Sequence, residues 1–72
     1  MNLQSLKNHW PSSIVARTAV AEFSGGLLDP KTLANFDSIG EGPPRSRLGR
    51  KVFYQVDDLV RWMESRLEVT EV

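Results

Sequence analysis

The sequence contains no cysteine and only one histidine. Without cysteine the chain can form no disulfide and can offer no thiolate to a metal ion. A zinc site made of imidazoles needs several histidines, and His9 alone does not supply it. No stretch approaches the ~20 consecutive apolar residues of a membrane-spanning helix. We therefore expect a cytoplasmic protein that holds no metal and no cofactor and contacts no membrane.

The sequence also lacks the patterns that catalysis needs. Gly25-Gly26 is not followed by the Lys-Ser or Lys-Thr of a phosphate-binding loop. His9 has no acidic residue close by in the sequence that would orient it. Asp57 and Asp58 are adjacent acids, but their position at the start of a helix predicts a pair of N-capping residues. We therefore predict no catalytic residues and no enzymatic activity.

Charge is abundant but unevenly placed. The chain carries nine cations and nine acids, so its net charge is zero. Residues 1–51 have a balance of +3 and residues 52–72 a balance of −3. The turn-rich stretch from Gly42 to Lys51 contains four of the cations and no acid. A neutral protein that concentrates positive charge in one loop is suited to hold an anion there.

The length and the break signals predict one small domain over residues 13–68. Residues 1–12 are expected to form a flexible N-terminal arm, because Pro11-Ser12-Ser13 interrupts its short apolar pattern. Residues 69–72 are expected to fray. Trp10 has two interpretations: it packs on the edge of the core, as large apolar residues usually do, or it contacts DNA or a second protomer.

Two short helices are predicted in the first half of the domain. Ile14-Val15 indicates a brief strand, and Thr18 is placed to cap a first helix that ends at Gly25-Gly26. Asp29-Pro30 is the clearest start signal in the chain, with a side-chain acceptor at the N-cap and proline at the first helical position. This second helix should run from Pro30 to about Asp37 and bury Leu33 and Phe36.

The second half predicts a hairpin and a longer helix. Leu48 to Val56 has the β-propensity of a hairpin with Gly49 at its turn. Asp57-Asp58 then opens a helix whose apolar positions have the spacing of a buried stripe: Val56, Leu59, Val60, Met63 and Leu67. The fold class predicted from these elements is α+β and mostly helical, a small winged helix-turn-helix with two short helices, a β-hairpin wing and a C-terminal helix.

Two groups of polar residues are the candidate DNA contacts. In a helix-turn-helix the second helix enters the major groove. Asn35 can pair with adenine, Thr32 can reach a base edge or a methyl group, and Lys31 can reach a guanine or a phosphate. The following hairpin has the position of a wing, where cations contact the backbone or the minor groove. The wing cations are Arg45, Arg47, Arg50 and Lys51, and Thr18 at the first helix cap is a weaker candidate. The alternative is that all of them are ordinary solvated surface residues.

The order and spacing of these elements resembles the MerR-like winged-helix superfamily, in particular its small members, the excisionases (recombination directionality factors) and the AlpA-type regulators. The resemblance covers roughly residues 14–67. It depends on five short segments: Thr18 to Phe23 as the first helix, Asp29-Pro30-Lys31-Thr32-Leu33, Gly42-Pro43-Pro44, Leu48-Gly49-Arg50-Lys51 and Asp57-Asp58-Leu59-Val60-Arg61-Trp62-Met63.

The resemblance implies architectural binding of double-stranded DNA. Excisionases of this kind bind and bend repeated sites beside an attachment site, often by cooperative self-association, and direct a separate integrase to excise the element. AlpA-type relatives use the same domain as transcription regulators of phages and mobile elements. The small size favours the excisionase function. A small protein-interaction module that does not bind DNA is the alternative of another class, supported by the acidic last helix and Trp10.

Overall fold

The computed structural model of the protein describes residue 3 and residues 5–67. In that part of the chain, four α-helices and a 3-10 turn pack with a three-stranded antiparallel sheet. In chain order the elements are α1 (Ser5–Asn8), β1 (Ile14–Ala16), the 3-10 turn (Arg17–Ala19), α2 (Val20–Phe23), α3 (Pro30–Ser38), β2 (Ser46–Leu48), β3 (Lys51–Gln55) and α4 (Val56–Ser65). The predicted fold class, α+β with a helix pair, a hairpin wing and a C-terminal helix, is confirmed. None of the described helices has the length and apolar character needed to cross a bilayer.

The central strand of the sheet is β3, with β1 on one side and β2 on the other. Val15 of β1 lies opposite Tyr54, and Leu48 of β2 lies opposite Lys51. The β2–β3 hairpin therefore turns over two residues, Gly49 and Arg50. Gly49 has φ of +63°, which a glycine adopts without strain and which suits the first position of a type II′ turn.

The hairpin differs from its predicted limits at both ends. It begins at Ser46 rather than Leu48, because Ser46 and Arg47 are held by pairing with β3 and not by their own β-propensity. It ends at Gln55, because Val56 is already the first residue of α4. The pairing partner, and not the local composition, sets the start of β2.

The hydrophobic core draws on almost every element of the fold. The predicted stripe on α4 is confirmed for Val56, Leu59, Val60 and Met63, which are all buried. Leu67 is an exception with 38% of its surface exposed, because α4 ends at Ser65 and the chain has left the helical path. The remaining buried apolar residues are Leu3, Val15, Val20, Phe23, Leu33 and Tyr54.

The predicted start of α3 is confirmed. The Asp29 side chain accepts a hydrogen bond from the Lys31 backbone N–H at 2.7 Å, and Pro30 occupies the first helical position. Leu33 is fully buried, as predicted. Phe36 is only partly buried and packs edge-on against Trp62, with ring centroids 5.4 Å apart. The helix is thus fixed between the core and the α4 face.

Two predicted N-caps are wrong. Thr18 caps no helix: the chain leaves β1 directly into the 3-10 turn, and α2 begins at Val20 after Ala19 with no side-chain cap. Asp57 and Asp58 are not N-caps either, because α4 begins one residue earlier with Gln55 at the cap position. Both acids lie in the first turn of α4, where the helix dipole still favours negative charge.

The described part of the predicted arm packs on the domain. Leu3 is only 6% exposed and belongs to the core. The Trp10 ring lies edge-on to Phe23 with centroids 5.3 Å apart, and its indole N–H donates to the Ile14 carbonyl at 2.9 Å. These contacts confirm the core-edge interpretation of Trp10. The predicted tail, residues 69–72, lies outside the described residues.

Trp10→Ala should lower the free energy of unfolding by about 2 kcal/mol, since a fully buried aromatic would cost about 3–5 kcal/mol and Trp10 is half-buried. Urea denaturation followed by far-UV circular dichroism measures the change. His9→Ala is the matched control, because His9 is the exposed neighbour. Equal midpoints for the two variants would contradict the packing of this segment on the core.

Candidate nucleic-acid interface

Most cations of the protein have an acidic partner. Lys7 meets Asp57 at 2.8 Å, Arg61 meets Asp58 at 3.7 Å, and Arg66 meets Glu41 at 3.7 Å. Arg17 and Arg45 both approach Asp37, at 2.5 and 3.8 Å. Four cations have no ion pair with any described residue: Lys31, Arg47, Arg50 and Lys51. All four belong to the groups that the sequence singled out as DNA contacts.

The wing gathers the predicted cations on and around one hairpin. Arg50 and Lys51 line a concavity of about 440 Å³ together with Arg17 and Thr18. Arg45 and Arg47 line a second concavity of about 620 Å³, formed with the Gly42–Pro44 segment. Thr18 is thus exposed beside the wing tip, although its predicted capping role is wrong.

The three candidate contacts on α3, Lys31, Thr32 and Asn35, are all exposed. Lys31, Asn35 and Ser38 are spaced as i, i+4 and i+7, so they form one exposed stripe opposite buried Leu33. Thr32 is exposed, but with Phe36 it lines an apolar concavity beside Trp62. Ser38 was missed, although the same spacing rule would have found it. Its hydroxyl donates to the Asn35 carbonyl at 2.7 Å and its oxygen can still accept.

The α3 stripe and the wing cations are separate patches. Within the described part of the chain, Thr32 and Asn35 line a concavity that includes no wing residue. A ligand that touched both would have to be larger than a small molecule and extend across the surface. In the same part of the chain, no three histidine, aspartate or glutamate side chains converge on a metal position.

A buried polar network, which no local sequence pattern predicts, connects α3 to the sheet. The Tyr54 hydroxyl donates to Asp37 Oδ2 at 2.8 Å. Arg17 donates to the same oxygen at 2.5 Å through one nitrogen and to the Tyr54 hydroxyl at 3.1 Å through another. Asp37 is 6% exposed and Tyr54 fully buried. The network holds α3, the 3-10 turn and the central strand at fixed positions relative to one another.

The second oxygen of Asp37 accounts for the glycine at position 42 and the arginine at position 45, in the loop before the wing. Asp37 Oδ1 is buried and accepts no hydrogen bond from the described residues, and Arg45 Nη1 lies 3.8 Å away. Gly42 packs so closely that a Cβ there would overlap this oxygen. Glycine at position 42 therefore lets the loop pass directly over the carboxylate, and Arg45 balances part of its charge.

The network also shifts the pKa values of two of its side chains, Tyr54 and Arg17. Burial raises the pKa of the Tyr54 hydroxyl, and the neighbouring Asp37 carboxylate raises it further, against the opposing effect of Arg17. The hydrogen bond with Tyr54 raises the pKa of the Arg17 guanidinium, and Asp37 contributes in the same direction. At neutral pH the network therefore consists of a neutral phenol between a cation and an anion.

Tyr54 is the sole tyrosine, so tyrosinate absorbance reports this site alone. The apparent pKa should lie above the ordinary value of about 10. Asp37→Asn should lower it, because the carboxylate accepts the phenol's hydrogen bond and repels the phenolate. The pKa of Tyr54 is higher in the folded protein than in the unfolded chain. The protonated Tyr54 therefore contributes stability below pH ~10, and this contribution is lost as the pH rises further.

Asp58→Asn is the matched control for this titration, because Asp58 pairs with Arg61 and does not face Tyr54. It should leave the apparent pKa of Tyr54 unchanged. Circular dichroism at each pH checks that the protein remains folded. An apparent pKa at or below the ordinary value in the folded wild-type protein would contradict the buried network.

The resemblance to excisionases has no support from comparison with known proteins. No protein-family model matches the chain, and no curated protein is similar to it at a significant level.

Proposed function

We propose that the protein binds double-stranded DNA sequence-specifically as a winged-helix factor of the excisionase type. In this proposal α3 enters the major groove and the β2–β3 wing contacts the adjacent backbone or minor groove. The observation that carries the proposal is the distribution of ion pairs. The cations without an acidic partner among the described residues lie on the wing and on α3 alone.

The unpaired cations supply the electrostatic part of binding. Arg47, Arg50 and Lys51 are exposed and have no described carboxylate to compete for them. Each contact with a phosphate releases condensed counterions from the duplex, which favours binding at low salt. Arginine adds a planar, bidentate donor set that matches phosphate oxygens. Arg45 can join them, because its 3.8 Å pair with Asp37 is long and its side chain is half exposed.

The α3 stripe supplies the sequence-reading part. Lys31 and Asn35 are exposed on the face opposite buried Leu33, and Lys31 lies in the first turn, the end that such helices direct toward the bases. Asn35 has the donor and acceptor needed for bidentate pairing with adenine. Ser38 extends the same stripe and can reach a phosphate or a base edge. Thr32 lies at its margin, toward the apolar concavity.

The excisionase assignment adds bending of the DNA, cooperative self-association on neighbouring sites and action with an integrase. The alternative, an AlpA-type transcription regulator, uses the same surfaces. Footprinting on sites selected from a random pool separates the two. Sites repeated in phase with the DNA helix, with stimulation of integrase-dependent excision in a reconstituted assay, support the excisionase. A single site over a promoter, with repression or activation of a reporter, supports the regulator.

The affinity for DNA should depend steeply on salt. If Lys31, Arg45, Arg47, Arg50 and Lys51 all meet phosphates, log affinity should fall against log salt concentration with a slope of about −4 to −5. Fluorescence anisotropy titrations of a labelled duplex at several salt concentrations measure the slope. A slope near zero would exclude the wing as a phosphate contact. No binding at low salt, and no enriched site from a random pool, would favour a protein-interaction module.

Arg50→Ala should weaken binding to all sequences and make the salt slope about one unit shallower, because it removes one phosphate contact. Arg61→Ala is the matched control. It removes the same charge from the exposed face of α4, where Arg61 pairs with Asp58. The control should leave the slope unchanged. Equal slopes for the two variants would show that net charge, and not the wing, determines binding.

Asn35→Ala should relax the preference at one base position by about 1–3 kcal/mol while leaving non-specific binding intact. Competition among duplexes with every base at each position measures the preference. Asn8→Ala, the same change at an exposed position of α1, is the control. An unchanged base preference in the Asn35 variant would remove α3 from the recognition surface.

A further inference from the structure

The wing tip carries an apolar side chain that the protein does not bury. Leu48 is 77% exposed, more than any other described large hydrophobic residue, and it is not among the residues that pack against the core. The four other exposed ones, at 38–69%, are Ile14, Leu27, Ile39 and Leu67. Leu48 therefore contributes nothing to the core, and water contacts most of its surface.

Leu48 lies at the tip of the wing. It is the last residue of β2, and with Lys51 it forms the final cross-strand pair before the Gly49-Arg50 turn. Its neighbours Arg47, Arg50 and Lys51 are the unpaired wing cations. The tip thus presents one apolar side chain beside Lys51, its cross-strand partner, with Arg47 and Arg50 close by in the sequence, at the end of a two-stranded projection.

We infer that Leu48 is a wedge that inserts between two base pairs from the minor groove and kinks the DNA, an inference that rests on the proposed function. In undistorted B-DNA a two-stranded ribbon fits the major groove, about 12 Å wide, but is too wide for the minor groove, about 6 Å wide. Only the side chains at the hairpin tip can enter the narrower groove. Leucine is one of the residues that unstack a base step there, bending the duplex by ~20–90°.

In this proposal the three cations bind the DNA backbone beside the inserted leucine. They hold the phosphates on both sides of the groove while Leu48 enters the stack, and this contact places the apolar side chain against bases rather than water. Pyrimidine–purine steps are the most easily unstacked, so the inserted step should be TA or CA/TG. The wing then contributes to sequence preference without hydrogen bonds to the bases.

A basic tip with an apolar residue also suits an anionic lipid surface, but the apolar area is too small. Stable membrane attachment needs a broad apolar face or an acyl chain in addition to positive charge. The wing tip offers one leucine. A single side chain is enough to separate two base pairs, so DNA is the ligand that this surface fits.

The test uses the full chain and the duplex that the wild-type protein selects from a random pool. 2-Aminopurine placed at each adenine under the wing reports unstacking, and energy transfer between the duplex ends reports bending. At saturating protein, the wild type should raise 2-aminopurine fluorescence at one pyrimidine–purine step. Leu48→Ala should lose that rise and most of the bend while keeping the salt slope, because every cation remains.

Two variants control the experiment. Leu27→Ala removes the next most exposed leucine, which lies outside the wing, and should leave both signals unchanged. Leu48→Met keeps a flexible apolar wedge and should retain them. The inference is overturned if Leu48→Ala unstacks and bends the DNA as the wild type does. It is also overturned if the wild type binds without unstacking any step.

If the proposed function itself is wrong, the experiment gives a different result from the two outcomes above. In that case the wild-type protein binds no duplex at low salt, and both proposals fall together. Binding to phosphatidylserine vesicles is measured separately, without DNA, to test whether the wing tip binds an anionic membrane instead. Binding to these vesicles that Leu48→Ala abolishes, with no effect of the same variant on DNA, would assign the tip to membranes and overturn the wedge.

Discussion

The carboxylate of Asp37 is the constraint on which the rest of the structure depends. It receives Arg17 and Tyr54 on one oxygen and faces Gly42 and Arg45 with the other. Burying such a pair costs desolvation energy, and removal of one partner would leave an uncompensated buried charge. The three hydrogen bonds offset that cost and tie α3 to the central strand. The angle between the helix and the wing, which any ligand touching both must match, is set at this point.

This network and the surface ion pairs together decide which cations are available to a ligand. Arg17 looks like a surface cation in the sequence, but Asp37 and Tyr54 occupy its guanidinium. Lys7, Arg61 and Arg66 are paired on or near α4. The cations without a described acidic partner lie on the wing and on α3, so a protein with no net charge still offers positive charge at these two places.

Local signals were enough to predict most of the fold. Asp29-Pro30 supplies an N-cap acceptor and a proline at the first helical position, Gly49 supplies the positive φ of a tight turn, and the α4 apolar spacing identifies its buried face. Predictions failed where neighbours in space override local preference. Thr18 has the chemistry of a cap, but the chain had already entered a 3-10 turn. Ser46 and Arg47 have little β-propensity and become a strand through pairing with β3.

By itself the sequence determined the order of the first strand, the two short helices, the hairpin and the last helix, together with the wing cations and the exposed Lys31 and Asn35, because each follows from residues within one turn or strand. It did not predict α1 or the 3-10 turn. Only the tertiary structure decided which charges are paired. Arg17, Asp37 and Tyr54 lie 17 to 37 positions apart, and no local pattern links them. It also placed Thr32 toward the α4 side and left Leu48 exposed at the tip. The physical reason is that the partner of a polar group and the burial of an apolar one are properties of packing, which brings distant residues together.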